Sequence, residues 1–256
     1  MRFGNFILTS GVIANALLLT AVPAYSGTDE IRNKIIKVIT ADAPGTAFIL
    51  GPASNGSCVL VTAHHVIKEN APNEPLTFII PRDSRTLKPK KFTLLKTNFQ
   101  VAEEGLDLAF VPTSSCTNSL QLPLAKASSI AVSTKVSIYG YPIDQEAIHS
   151  VNTKPFEVSG RVTQYGESDD LGYDISYDAE TKPGYSGGPV LSESGDEILA
   201  VHGRSDTVKG LQDQELREKL RVGGRGISAA LLYKFLKESG YKLQRSDKVT
   251  CLVGVC

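Results

Sequence analysis

Three short segments hold residue types that together can carry out nucleophilic catalysis. The first is Gly184-Tyr185-Ser186-Gly187-Gly188-Pro189-Val190, a serine set among glycines. Glycine admits positive φ and close backbone approach. A serine on such a turn can present its hydroxyl while nearby amides converge on one point, where a developing oxyanion can bind. Serine alone is a weak nucleophile and needs a base and an orienting carboxylate. Val61-Thr62-Ala63-His64-His65-Val66 offers the base, and Leu106-Asp107-Leu108-Ala109-Phe110-Val111 offers the carboxylate. The chemistry open to such a set is acyl transfer: the hydroxyl attacks a carbonyl, the imidazole takes its proton and then returns it to the leaving group.

Taken in the order His, Asp, Ser, the three segments resemble the trypsin/chymotrypsin-like serine proteases, above all their bacterial branches. Subtilisin-like and α/β-hydrolase enzymes run in other orders. The resemblance covers nearly all of the chain after residue 35. It implies an all-β fold, with two six-stranded antiparallel β-barrels followed by a C-terminal helix. It also implies endopeptidase activity on protein or peptide substrates, with no cofactor and no metal. In the family pattern Thr-Ala-x-His the fourth residue is the base, here His65. His64 is then a packed or solvated neighbour, since successive side chains on an extended chain point opposite ways. Asp107 would fix the histidine tautomer and Ser186 would attack. The backbone amides of Gly184 and Ser186 would form the oxyanion hole.

The match has one departure. Digestive members carry an aspartate just before the serine, which pairs with a newly freed N-terminal amine. Here that residue is Tyr185, and no Arg-Ile-Val-Gly-Gly start is present. The oxyanion loop is therefore expected to be preformed. Residues 177–184 and 199–203 resemble the two walls of the primary specificity pocket. Thr181 and His202 match the pair that holds an acidic side chain in the glutamyl endopeptidases, and both can donate to a carboxylate. Glu180 stands beside Thr181 and would repel an acid if it pointed inward. The same segments resemble periplasmic stress proteases that prefer small apolar residues, though no peptide-binding second domain is read after them. Two other readings compete with a protease: an inactive homologue that serves as a binding module, and an esterase.

The rest of the chain suits a secreted globular protein. Residues 1–26 carry one charge, Arg2, then a mostly apolar run and the small-residue end Pro23-Ala24-Tyr25-Ser26. This reads as a signal peptide cleaved after Ser26 or Ala24, with no stable membrane span once it is removed. The 27 basic and 27 acidic residues balance, which argues against a nucleic-acid partner. Four cysteines, Cys58, Cys116, Cys251 and Cys256, allow three pairings. Cys58–Cys116 and the short loop Cys251–Cys256 are the pairing expected here. The first of these would fasten the part of the barrel that sets the His–Asp geometry.

Short apolar strands are read at 34–40, 46–50, 58–62, 76–80, 92–95, 99–102 and 106–111, with Asp107 on the last. Their spacing, without intervening helices, indicates a β-barrel. Residues 112–133 read as the connection between barrels. Further strands are read at 135–140, 156–163, 173–177, 189–191 and 197–202, with a last one ending at Gly226-Ile227. The stretch 205–222 is a charged surface loop, and Asp169 and Asp170 are solvated turn residues. Leu231, Leu232, Phe235 and Leu236 have helical spacing, and Gly240 follows as a stop. This helix is expected to pack on the second barrel. The domain limits are 1–26 for the signal peptide and 27–245 for the protease domain, divided into 27–120 and 121–245. Residues 246–256 form a tail.

Overall fold

The computed structural model describes residues 27–40, 44–52, 56–81, 88–102, 105–113, 116, 119–120, 122–143, 154–207, 221–241 and 243. The proposed signal peptide, the Cys251–Cys256 pair and the loop segment 208–220 lie outside them.

The chain forms two β-sheets, joined along a buried seam. The first contains β1 (Ile35–Ile39), β2 (Gly45–Leu50), β3 (Cys58–Thr62), β4 (Pro75–Ile80), β5 (Lys90–Leu95), β6 (Gln100–Val101) and β7 (Ala109–Thr113), in the order β5-β4-β1-β2-β3-β7-β6. β8 (Ser119–Leu120) adds in parallel to β2. This half is a curled sheet. Its terminal strands β5 and β6 do not pair among the described residues, because β6 is two residues long and pairs only with β7. The second half is a closed antiparallel barrel of β9 (Lys135–Gly140), β10 (Phe156–Tyr165), β11 (Ile175–Tyr177), β12 (Pro189–Ser192), β13 (Ile198–Thr207) and β14 (Arg221–Ser228). The strand β13 extends to Thr207 and β14 starts at Arg221, so residues 205–207 and 221–222, read as loop, belong to strands.

Side chains alternate across a strand, and in the first sheet both faces are buried. Ala47, Ile49 and Leu60 point into the sheet's own core, with Val38 and Phe78. Phe48, Leu50, Val59 and Val61 point the other way, into a cluster shared with Tyr139, Tyr141, Leu191 and Val201 of the barrel. That explains why β2 and β3 read as continuous apolar runs rather than an alternation. The barrel interior is a third cluster, built on Ile138, Ile175, Tyr177 and Val190.

Three α-helices are described. α1 (Gly27–Arg32) precedes β1, and α2 (His64–Lys68) follows β3. α3 (Ala229–Glu238) starts at Ser228, whose hydroxyl accepts the Leu231 N–H. α3 does more than cover the barrel. Leu232 and Leu236 enter the shared cluster, and Phe235 meets Phe110 of β7 edge to face at 5.2 Å. The expected helix is present, but it lies across the seam.

Cys58 and Cys116 are joined, with Cα atoms 5.4 Å apart. The bridge ties β3, which leads to the histidines, to the chain beyond β7.

Candidate active site

His65 lies on α2, a single helical turn, and not on an extended chain as its sequence context suggested. Few local signals favour a helix here: the sequence is His-His-Val-Ile-Lys and no side chain caps it. Tertiary bonds hold the turn. The His64 N–H donates to the Asp107 carbonyl at 3.3 Å, and the His65 N–H donates to Asp107 Oδ1 at 2.7 Å. His64 is half-buried and lines the cleft beside His65, together with Lys68.

Asp107 sits just before β7, not within a strand. Its N–H donates to the Leu171 carbonyl at 3.0 Å, and Leu108 N–H turns back to the Leu106 carbonyl at 2.8 Å. These contacts turn the carboxylate inward, where it is 6% exposed. His65 Nδ1 lies 2.6 Å from Asp107 Oδ2. Burial alone would raise the Asp107 carboxyl. The hydrogen bond and charge of His65, the Tyr173 hydroxyl and the His65 N–H outweigh it and hold the group below the usual carboxylate range. An ionised carboxylate only accepts, so Nδ1 carries a proton, and in the neutral imidazole Nε2 is the nitrogen with a free lone pair.

Ser186 stands on a loop that only glycine permits at two places. Gly184 has φ +98°, and a Cβ there would lie 2.0 Å from the Tyr141 carbonyl. Gly187 has φ +84°, and a Cβ there would lie 2.1 Å from the Thr46 carbonyl and 2.9 Å from the Ala63 nitrogen. The loop is therefore pressed against the end of β3, just ahead of the two histidines. Thr46 fastens it. Its hydroxyl donates to the Gly184 carbonyl at 2.7 Å and accepts the Tyr141 N–H at 3.1 Å, and its N–H donates to the Ser186 carbonyl at 2.8 Å. The amides of Gly184 and Ser186 donate to no backbone carbonyl among the described loop contacts, whereas those of Tyr185, Gly187 and Gly188 do. The Ser186 hydroxyl donates to the Gly203 carbonyl at 2.8 Å, not to His65.

Thr181 and His202 come together, both fully buried. A Cβ on Gly224 would lie within 3.1 Å of Thr181 Oγ1, 2.9 Å of His202 Cε1 and 2.7 Å of the Tyr177 ring. Ser205, which the sequence did not single out, adds a hydroxyl 2.9 Å from that of Thr181. Tyr177 shares its hydroxyl with His202 Nδ1, while His202 Nε2 is buried and has no hydrogen-bond partner. Burial, and to a lesser degree the charge of His65, push His202 down to about 3, so its imidazole is neutral at ordinary pH. Glu180 is not part of this group. It is exposed and borders a shallow surface groove with Lys135, Arg161 and Lys182. Neighbouring side chains on an extended segment point opposite ways, so burying Thr181 turns Glu180 outward. Asp169, read as a solvated turn residue, is half-buried and pairs with Arg204 at 3.2 Å; Asp170 is exposed.

Residues 45–201 match the trypsin-like peptidase domain, more than half of the chain. The chain belongs to that family. No curated protein matches it significantly. Among solved structures it is similar to Rv3671c of Mycobacterium tuberculosis H37Rv, a serine-to-alanine mutant in an inactive form. The identity is 17% and the TM-score 0.54, over 90% of this chain and 96% of that one. It is also similar to the inactive form of the Rv3671c protease, at 18% identity and TM-score 0.54, over 85% and 96% of the two chains. The HtrA-type protease AlgW with tripeptide gives 15% identity and TM-score 0.56, over 81% of this chain and 60% of that one. At these identities the likeness is one of fold. Among the described residues, no helix is long and apolar enough to cross a membrane.

Proposed function

We propose that this chain is a secreted serine endopeptidase that works through an acyl-enzyme. The observation that carries the reading is the His65–Asp107 pair at 2.6 Å, next to a glycine-bound loop that presents Ser186. Ser186 gives up its bond to Gly203 by rotating about χ1 and attacks the peptide carbonyl. His65 Nε2 takes the proton and passes it to the leaving amine. Asp107 holds the imidazole and stabilises its charge. The Gly184 and Ser186 amides receive the oxyanion, each contributing about 3 kcal/mol to the transition state. Water then repeats the sequence on the ester. The Cys58–Cys116 bridge supports an oxidising compartment, outside the cell or in the periplasm.

For the residue before the cleaved bond, the reading is an acidic side chain. His202 Nε2, buried without a partner, supplies a donor for a carboxylate, and the Thr181 and Ser205 hydroxyls, bonded to each other and to the Thr181 carbonyl in the free protein, would turn toward it. The outward Glu180 removes the objection that it would repel one. A second reading, an inactive homologue that binds without cutting, draws on the Ser186 hydroxyl being engaged by Gly203.

A fluorophosphonate label and a peptide-library digest read by mass spectrometry test both. Ser186 should be labelled, and Ser186→Ala and His65→Ala should each abolish hydrolysis. His64→Ala should retain most of it. An unlabelled Ser186 in folded protein would leave only the binding module.

A further inference from the structure

Asp107 has more than one partner. Oδ1 accepts the His65 N–H and Oδ2 accepts His65 Nδ1–H, both from the first half of the molecule. A second donor reaches Oδ2 from the other half: the hydroxyl of Tyr173, at 2.5 Å. Tyr173 is 4% exposed and stands just ahead of β11. Burial, then the adjacent charge of Asp107, raises its hydroxyl far above the ordinary phenol range, so it stays a proton donor.

The surroundings fix this ring with unusual care. The Tyr173 N–H donates to Asp169 Oδ1 at 3.1 Å, and the Tyr173 carbonyl accepts the Asp169 N–H at 3.2 Å. The Arg204 guanidinium lies over the ring, 5.3 Å from its centre, and is itself held by Asp169 at 3.2 Å. On the remaining side is Gly203. A Cβ there would stand 2.0 Å from Tyr173 Cε1 and 2.8 Å from its hydroxyl oxygen. The φ of Gly203 is not among the positive ones. Its backbone therefore does not call for glycine, whereas the tyrosine ring does.

We propose that Tyr173 is a positioning residue of the triad, holding the Asp107 carboxylate from the second barrel, and that Gly203 is glycine to admit its ring. This rests on the triad reading above. Two donors on Oδ2 and one on Oδ1 leave the carboxylate no freedom to rotate. The imidazole is then presented to Ser186 in one orientation and one tautomer. Gly203 also receives the Ser186 hydroxyl through its carbonyl, so a single glycine touches both the support and the nucleophile.

The test is Tyr173→Phe in the mature chain, with kinetics, thermal stability and the low-field proton resonance of the His65–Asp107 bond measured together. A hydrogen bond to a charged group is involved, so kcat should fall roughly 10- to 100-fold, while KM holds within about twofold. The low-field resonance should shift or broaden. Gly203→Ala, which keeps the hydroxyl but displaces the ring, should act in the same direction. It is the variant to score should Tyr173→Phe not fold. An unchanged kcat with an unmoved resonance would overturn the proposal. So would a loss of activity that only tracks a loss of folded protein. If the parent enzyme is neither labelled at Ser186 nor active, the triad reading has failed instead. The resonance then still decides, because a shift in either variant supports the Tyr173 contact and its absence refutes it.

Discussion

At the scale of single residues, His202 separates two ways of binding an acid. Its lowered pKa makes it a neutral donor in the free protein. A substrate carboxylate beside it would favour the protonated form, so binding takes up a proton when the complex pKa exceeds the pH. Tyr177 bonds its Nδ1, Thr181 stands with it around Gly224, and the charge of His65 reaches it. The ratio of kcat/KM for matched Glu and Gln substrates should therefore rise as the pH falls from 8 to 5. Taking the ratio cancels the titration of the catalytic base, which both substrates share. A flat ratio that still favours Glu would mean that His202 binds the acid as a neutral donor, whereas indifference between Glu and Gln, or a preference for Lys, would remove the acidic pocket. His202→Ala should narrow the gap between Glu and Gln and leave Ser186 labelling in place.

At the scale of elements, Thr46 is the joint between the sheets. Thr46→Val keeps the shape but leaves the Gly184 carbonyl and the Tyr141 N–H without their partner. Two buried groups left unpaired should cost about 2–4 kcal/mol. The serine loop should loosen with them, visible as lower kcat and a lower urea midpoint. If stability and rate both hold, the loop is positioned by its own glycines. What the sequence made legible at this scale was mostly local. Strands appeared where Val, Ile and Phe cluster between turn residues, and α3 where Leu231, Leu232, Phe235 and Leu236 share a face. α2 has no such local signal, because its turn is held by the distant Asp107 rather than by its own residues. Apolar neighbours make Asp107 look like a strand residue, although the chain turns there to pair with Leu171. Thr46, Tyr173 and Ser205 gave no signal at all. Each is an ordinary strand or loop residue whose meaning depends on a partner far along the chain.

At the scale of the whole molecule, two measurements address what holds it together. Reducing the Cys58–Cys116 bridge, which closes a loop of 58 residues, should lower stability by about 2–4 kcal/mol. Calorimetry with and without reductant reads this, and no shift would mean that the bridge does not constrain the unfolded chain. The second measurement is acid unfolding. His202 binds no proton in the folded state above about pH 3 but does so below about 6.5 when unfolded. The unfolded state thus holds more protons in this window, and stability must fall as the pH drops from about 6.5 to 3, by about 3–5 kcal/mol from this residue. Asp107, held low, adds loss at the acid end. His202→Asn should give a flatter curve above pH 4, and an identical slope would mean that the imidazole is hydrated.

The helix across the seam has a consequence for how the molecule is made. Phe110 is covered by Phe235 and by Tyr241, which approaches to 5.2 Å. Both belong to the end of the described chain, whereas Phe110 lies three residues after Asp107. His65 and Asp107 come from the first half, yet the strand behind them is covered only once the chain as far as Tyr241 has folded. Closing contacts this distant in sequence costs loop entropy and slows folding. Ser186, Gly203 and Tyr173 also come from later segments. The proposed site is therefore completed only by long-range contacts, and a fragment that stops before Tyr241 lacks part of its support.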